Sequence, residues 1–301
     1  MGELSAEERK EIALETLSLH FPKGAKIAAV KEGGRCSIFR VLGEGAILKV
    51  AASPRLALET FFYDVLQKRE VPAVAGKRLN ENVLYLEDLA VSKNWRLAVK
   101  EDLKEPAVGE ALAVWYQAWH EAGRAELAEN PHLHTVLRWE YSAITAAALA
   151  DVEKMFALKN DKVWQKCRRM APLLIARLKR QVDTFTYNDF YYVNLAVAKK
   201  GTGVALFDFD HSGKGLAASD FRNVASSLRD EALKRFQAAM PVDKDILAAD
   251  GILAVLFELI IASRAAARPR WAEGVIAGLG RAEFRENLQK ARNILEEGKL
   301  C

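Results

Sequence analysis

The segment Tyr187–Asp210 reads YNDFYYVNLAVAKKGTGVALFDFD and contains the pattern that decides the fold. Two apolar runs flank a glycine-containing turn around Gly201, which predicts an antiparallel hairpin over residues 195–209. Asn194 and Asp208 are each seven residues from Gly201, so we expect the hairpin to bring them side by side. An amide oxygen beside a carboxylate is a pair of hard ligands that suits Mg²⁺. The sequence therefore predicts a magnesium site at Asn194 and Asp208.

A third polar residue, Asp189, lies five residues before Asn194, on the loop that enters the hairpin. A carboxylate near the metal could orient a hydroxyl and accept its proton during phosphoryl transfer. Taken singly, Asp189 and Asn194 are also ordinary turn residues, and Asp208 could be a solvated carboxylate at a strand end. Phe207 and Phe209 are expected to embed Asp208 in an apolar strand, where a carboxylate needs a partner. The joint spacing favours the functional interpretation.

The residues before this segment change their hydrophobic period. Residues 25–51 form three short runs separated by glycine turns, the pattern of an antiparallel meander. Ser53 and Pro54 then predict a helix N-cap and its first residue, with the helix running to about Glu70. Residues 82–89 predict a further strand. Long amphipathic patterns typical of helices cover residues 106–127, 139–158, 161–181, 219–240, 246–266 and 282–297. The predicted fold is α+β, with a small antiparallel β-rich lobe (1–90) and a larger, mainly helical lobe (91–301) that contains the hairpin.

Composition excludes several classes of protein. Half of the 301 residues are hydrophobic, which excludes a disordered chain. A net charge of +4 gives no argument for a nucleic-acid partner. The apolar stretch 252–263 is short and contains Glu258, so it predicts a buried helix and no membrane span. Cys36, Cys167 and Cys301 lack the spacing of a zinc site or a disulfide framework, which favours a reducing, cytoplasmic location.

The hairpin segment resembles the catalytic core of the aminoglycoside phosphotransferase and choline kinase family, relatives of the protein kinases. The family loop reads His-Gly-Asp, four residues and Asn, followed by a hairpin and an Ile-Asp-Phe/Trp strand. This chain has Tyr187-Asn188-Asp189, then Asn194, then Phe207-Asp208-Phe209. The resemblance implies a bilobal, kinase-like fold in which Asp189 is the catalytic base and Asn194 and Asp208 bind Mg²⁺. Asp220, in a partial match to a further family segment, is implied to steady the loop.

The same segment departs from the family at two positions. Tyr187 stands where the family has His, and Asn188 stands where it usually has Gly. The family His chiefly braces the loop, so Tyr187 bears on the geometry of the loop more than on its metal chemistry.

The first ninety residues contain the matching nucleotide-binding pattern. Lys49 is a charged residue in an otherwise apolar strand, and Glu59 follows ten residues later on the predicted helix. Taken singly, these are also typical of a surface lysine and a solvated glutamate. The resemblance implies that they pair, with the lysine held against the α- and β-phosphates. It also implies that the turn ending at Ser37 covers the phosphates and that the backbone from Glu87 to Leu89 contacts the base.

The resulting expectation is a phosphotransferase that uses Mg²⁺ and ATP or GTP. The acceptor is expected to be a small hydroxylated molecule, an aminoglycoside-type antibiotic first, with choline, ethanolamine or a sugar as the alternative. An alternative of another class is a catalytically idle nucleotide-binding module, suggested by Tyr187. The expected assembly is a monomer or a weak dimer.

Overall fold

The structure, a computed structural model, describes residues 4–297 and has the predicted α+β class. Its strands are β1 Ile27–Glu32, β2 Cys36–Val41, β3 Ala46–Ala51, β4 Gly76–Asn80, β5 Val83–Glu87, β6 Trp95–Leu97, β7 Thr184–Thr186, β8 Leu195–Ala198, β9 Val204–Leu206 and β10 Gly213–Gly215. Its helices are α1 Ala6–His20, α2 Ser53–Lys68, α3 Pro106–Glu129, α4 Leu133–Val136, α5 Ala146–Met155, α6 Lys162–Lys179, α7 Ala217–Ser227, α8 Asp230–Ala239, α9 Lys244–Ser263, α10 Trp271–Leu279 and α11 Ala282–Glu297.

The chain divides into two compact units that do not coincide with the division predicted at residue 90. The first contains the residues up to Ala122 together with Tyr187–Ser212 and Val224–Met240, and the remaining residues form the second. Residues beyond 90 join the first unit because β6 pairs with β8 and because Trp115 Nε1 donates a hydrogen bond to the carbonyl of Pro72 at 2.7 Å. The two-lobe boundary itself stays a prediction.

The first unit is built on an antiparallel sheet with the strand order β1-β2-β3-β5-β4, so the predicted meander is confirmed. Leu48 and Val50 of β3 belong to a core cluster that also contains Ala13 and Leu17 of α1. Side chains alternate between the faces of a strand, so Lys49 points to the opposite face of the sheet.

Helix α2 begins one residue earlier than predicted. Its N-cap is Ala52, which has extended backbone dihedrals, and Ser53 is already helical. The Ser53 hydroxyl accepts a hydrogen bond from Arg78 Nη2 at 3.2 Å. Pro54 is tolerated there because the first-turn N–H groups have no partner within the helix.

The hairpin β8–β9 forms, but its register corrects the expected juxtaposition of Asn194 and Asp208. Leu195 pairs with Leu206, and the N–H of Phe207 donates to the carbonyl of Asn194 at 3.2 Å. Phe207 is thus opposite Asn194, and Asp208 lies one residue further along. Asp208 is also not embedded in a strand, because β9 ends at Leu206 and Asp208 adopts a left-handed conformation with φ 65°.

The second unit is helical around a core centred on α9, whose interior side chains include Ile252, Leu253 and Leu256. By length and composition α9 could cross a membrane, but more than half of its most apolar window is buried within the fold. Two predicted helices are interrupted: residues 139–158 contain a 3₁₀ turn before α5, and residues 219–240 form both α7 and α8. Helix α10 and strands β6, β7 and β10 are not in the sequence prediction.

A buried polar network in the second unit, the Asp250 cluster, consists of Tyr141, Ser219, Arg222 and Asp250. Oδ1 of Asp250 accepts from the Tyr141 hydroxyl at 2.7 Å and from the Ser219 hydroxyl at 2.6 Å. Its Oδ2 accepts from Arg222 Nε at 2.8 Å. Both carboxylate oxygens therefore have partners.

Two of the three cysteines are placed, and each is a free thiol. Cys36 is half-buried and Cys167 is buried. Cys301 lies outside the described residues.

Candidate active site

Lys49 lies at the centre of a group of charged side chains in the first unit. Its Nζ is 2.7 Å from Oε2 of Glu59 and 2.6 Å from Oδ1 of Asp208. Lys49 and Glu59 meet because side chains alternate between the two faces of β3 and because Glu59 lies on α2. Asp208 joins them because the chain reverses its direction after β9. Burial alone would lower the pKa of Lys49, but the two carboxylates outweigh it and raise that pKa above its usual value. Lys49 is therefore a fixed positive charge.

Helix α2 contributes a second ion pair to this group, between Arg55 and Asp210. Arg55 and Glu59 are four residues apart, so they lie on the same face of the helix. We call Lys49, Arg55, Glu59, Asp208 and Asp210 the Lys49 cluster. Arg55 has no place in the sequence prediction, although its spacing from Glu59 is a usable signal. The sequence prediction assigns no role to Asp210 either.

The Lys49 cluster contains oxygen atoms that could bind a cation. Carboxylate oxygens of Glu59, Asp208 and Asp210 lie within 4.8 Å of one another. Oδ1 of Asp210 and Oε1 of Glu59 are buried and have no hydrogen-bond partner among residues 4–297. Buried carboxylate oxygens without partners are costly, and they are the ligand type that Mg²⁺ prefers. The residues present therefore fit the expected metal ion.

The loop after β7 places Asp189 and Asn194 in direct contact. Nδ2 of Asn194 donates to Oδ2 of Asp189 at 3.0 Å and to its backbone carbonyl at 3.1 Å. This leaves the amide oxygen of Asn194 without a hydrogen bond in the described part of the chain. Burial raises the pKa of Asp189, and the nearby Asp208 and Asp210 add to the effect, while His211 and Asn194 oppose it. A raised pKa makes this carboxylate a better proton acceptor.

Both departures from the family pattern have a local physical role. The buried Tyr187 donates its hydroxyl hydrogen to the carbonyl of Phe207, which ties the loop to the residue before Asp208. Its ring packs edge-on against Phe209, with centroids 5.5 Å apart. Asn188 has φ 64°, a conformation that favours Gly and that Asn tolerates better than most residues. Tyr187 thus braces the loop, and Asn188 is compatible with its backbone.

A cavity of about 480 Å³ in the first unit extends from the chain segment after β5 to the Lys49 cluster. Glu87 and Leu89 line it at one end, and Lys49, Glu59 and Asp208 line it at the other. Its walls are mainly apolar, from side chains such as Ile38, Ile47, Leu86 and Phe207. An apolar slot with a charged end suits a base with a phosphate chain.

Three further residues do not line this cavity, and two of them, Ser37 and Asp220, are candidates from the sequence. Ser37 is completely buried, and its hydroxyl accepts a hydrogen bond from Arg9 Nε at 2.9 Å. Asp220 is buried near the start of α7, in the second unit. His120 is buried on α3 beside Tyr116, with ring centroids 5.8 Å apart, as a core residue would be. The structure thus brings together Lys49, Glu59 and Asp208, pairs Asp189 with Asn194, and places Glu87 and Leu89 at the cavity.

Comparison with known proteins identifies the family. The family model described as a phosphotransferase enzyme family matches residues 28–250. No curated protein sequence matches the chain.

Solved structures share the fold over nearly the whole chain. A choline/ethanolamine kinase family protein from Mesorhizobium loti superposes with a TM-score of 0.64 at 15% identity, over 94% of this chain and 99% of its own. Choline kinase LicA from Streptococcus pneumoniae gives 0.53 at 14% identity, over 96% and 98%. A spectinomycin phosphotransferase in complex with ADP and its antibiotic gives 0.59 at 11% identity, over 94% and 98%. At these identities the likeness establishes the kinase-like fold.

Proposed function

The chain belongs to the phosphotransferase enzyme family, and on that premise we propose that it transfers the γ-phosphoryl group of ATP or GTP to a hydroxyl of a small molecule. The first-choice acceptor is an aminoglycoside-type antibiotic, and the alternative is choline, ethanolamine or a sugar. The site of action is the cytoplasm, and the protein acts as a monomer or weak dimer.

The main support for this proposal is the position of Lys49 between two carboxylates. Its Nζ is 2.7 Å from Oε2 of Glu59 and 2.6 Å from Oδ1 of Asp208. A buried ammonium held by two carboxylates is a preorganised charge for phosphate oxygens. The mainly apolar cavity beside it provides a place for the base. Lys49, the proposed phosphate-binding charge, lines that cavity.

Asp189 is the proposed general base. It accepts the hydrogen of the acceptor hydroxyl while that oxygen forms a bond to the γ-phosphorus, and the bond between this phosphorus and the β–γ bridging oxygen breaks. The nucleoside diphosphate leaves with that oxygen. Asn194 orients Asp189 through its amide N–H, and burial raises the pKa of Asp189 toward the working pH. Tyr187 keeps the loop against the chain that carries Asp208.

Asp208 and Asn194 are the proposed holders of Mg²⁺, and Asp210 offers a further buried oxygen. A bound Mg²⁺ would neutralise charge on the phosphates of the nucleotide. Arg55 compensates the charge of Asp210 and thereby limits repulsion among the carboxylates of the Lys49 cluster.

The test is phosphate transfer from ATP and from GTP to a panel of aminoglycosides, choline, ethanolamine and neutral sugars. Transfer is measured as labelled phosphate in the product, with Asp189→Asn as the inactive reference. We expect transfer to an aminoglycoside. Transfer confined to choline, ethanolamine or a sugar would overturn the first-choice acceptor in favour of the alternative.

The idle-module alternative makes a different prediction in the same assay. Nucleotide binding by the wild-type protein without transfer to any acceptor would favour that alternative. The hydrogen bond from Tyr187 argues against an idle module, because through this bond Tyr187 braces the loop from the position of the family His.

A further inference from the structure

Arg9 of α1 is a buried cation, and its hydrogen bonds within residues 4–297 go to neutral groups. Its Nε donates to the Ser37 hydroxyl at 2.9 Å, and its Nη2 donates to the carbonyl of Gly33 at 2.6 Å. Its Nη1 donates to the carbonyls of Gly34 at 3.2 Å and Leu4 at 2.5 Å. Within residues 4–297 it forms no ion pair. The exposed carboxylate of Glu8 interacts with it electrostatically without forming an ion pair. A buried guanidinium without a direct ion pair is unusual, because desolvation of the charge is costly.

The hydrogen bonds of Arg9 fix the orientation of two peptide groups in the turn between β1 and β2. In a trans peptide, the C=O and the following N–H point in opposite directions. Because the carbonyls of Gly33 and Gly34 face Arg9, the N–H groups of Gly34 and Arg35 face away from it. The N–H of Gly33 closes the turn by donating to the carbonyl of Cys36 at 3.0 Å.

These two outward N–H groups are free donors. Neither the Gly34 nor the Arg35 N–H makes a hydrogen bond to another residue that the structure describes, and both residues are exposed. Successive backbone N–H groups that point the same way form an anion-binding concavity. The positive charge behind them, polarising the same two peptide groups, strengthens their attraction for an anion.

We propose that Arg9 is a positioning residue for the nucleotide, which sets the Gly34 and Arg35 N–H groups as donors to its phosphate oxygens and adds a buried positive charge behind them. This rests on the proposed function, in which the turn covers the phosphates. Arg9 precedes residues 28–250, so the family match does not include it. Helix α1 thus contributes to phosphate binding as well as to the core under the sheet.

The experiment measures the affinity of two probes, Mg²⁺–ATP and adenosine, for the wild-type protein and for Arg9→Gln, Arg9→Lys and the exposed control Lys10→Gln. If the wild type prefers guanine, Mg²⁺–GTP and guanosine replace them. Arg9→Gln should weaken binding of the triphosphate about tenfold, the effect of losing charge-assisted hydrogen bonds, and should leave binding of the nucleoside within about twofold. Arg9→Lys keeps the charge but loses the planar fork, so its loss should be about threefold. Lys10→Gln should change neither.

Each outcome separates the inference from the function on which it rests. An equal loss of affinity for the triphosphate and the nucleoside would mean that Arg9 only stabilises the fold. An unchanged affinity for the triphosphate would mean that Arg9 does not act on the phosphates. Either result overturns the inference. If the wild type binds neither probe, the proposed function fails first. If Arg9→Gln does not fold, the inference is tested with Arg9→Lys instead. An unchanged affinity of Arg9→Lys for the triphosphate then overturns the inference. In turnover assays, the KM for the nucleotide should rise while kcat changes little.

Discussion

The Lys49 cluster and the Asp250 cluster contain similar residues but differ in how far their polar atoms are satisfied. Every carboxylate oxygen of Asp250 accepts a hydrogen bond, from Tyr141, Ser219 or Arg222. In the Lys49 cluster, one oxygen each of Glu59 and Asp210 is buried without a hydrogen-bond partner in the described chain. A fully satisfied buried network stabilises a fold, whereas an unsatisfied one is available to a ligand. The two clusters should therefore respond oppositely to substitution.

The largest expected effect is on activity, next to the Lys49 cluster. Asp189→Asn removes the proton acceptor but keeps the shape of the side chain. We expect kcat to fall about 10³-fold, roughly 4 kcal/mol in the activation barrier, because a positioned base contributes on that scale. The free energy of unfolding should change by less than about 1 kcal/mol.

The control for this substitution is Asp183→Asn, an exposed carboxylate six residues earlier in the chain. It should leave both kcat and stability unchanged. A catalytic rate retained by Asp189→Asn would remove Asp189 from the reaction.

The next effect is on stability, in the Asp250 cluster. Asp250→Asn leaves the Arg222 guanidinium without its carboxylate partner, which should cost about 3 kcal/mol of unfolding free energy in denaturant titrations. Nucleotide affinity of the folded protein should stay within about twofold. Asp151→Asn, an exposed change in the same unit, is the matched control. A stable variant with lost nucleotide binding would reverse the roles assigned to the two clusters.

Tyr187→Phe tests a residue that should show both kinds of effect. The substitution leaves the buried carbonyl of Phe207 without the Tyr187 hydroxyl, so we expect a loss of about 2 kcal/mol in stability. The loop that carries Asp189 would also lose its brace, and kcat should fall. Unfolding curves and steady-state kinetics measure the two effects separately. Tyr187→His, the family residue, should recover more activity than Tyr187→Phe if bracing is the role of this position.

The last effect is a pH dependence at Glu140. Burial, opposed by Arg222 and supported by the nearby carboxylates of Asp250, Asp220 and Glu258, raises the pKa of Glu140 from 4.5 to about 7 in the folded protein. Between these values the folded state binds more protons than the unfolded state, so stability falls as the pH rises through this range. Glu140→Gln stays neutral and should therefore be more stable than the wild type at pH 8 and equally stable at pH 4. Parallel pH profiles for the wild type and the variant would contradict the shift, and Glu283→Gln is the exposed control.

Part of this arrangement was predictable from local sequence. The strand that contains Lys49 and the helix that contains Glu59 were predictable from local sequence, whereas the pairing of the two side chains was implied only by the family resemblance. The turn at Gly201 predicts the hairpin, but hydrogen-bond register shifts Asp208 by one residue, and the left-handed backbone at Asp208 has no sequence signature. A non-Gly residue adopts that conformation only where the surroundings impose it.

Other features depend on contacts between residues distant in sequence. Arg55 and Arg9 become meaningful only when α2 lies beside Asp210 and α1 lies beside Gly33. Nothing in the local spacing of Arg9 distinguishes it from the other charged residues of α1. Helix α10 was missed because its nine residues, Trp271–Leu279, include two glycines, which weaken a helical pattern.

The most direct test of the central claim is the Mg²⁺ dependence of nucleotide binding by the wild type and by Asp208→Asn. The affinity for ATP and GTP is measured by calorimetry with Mg²⁺ and with a chelator. We expect Mg²⁺ to strengthen binding by the wild type, and we expect Asp208→Asn to lose this dependence while remaining folded. Binding by the wild type that does not depend on Mg²⁺, or a Mg²⁺ dependence that survives in Asp208→Asn, would contradict the assignment of Asp208 as a metal ligand.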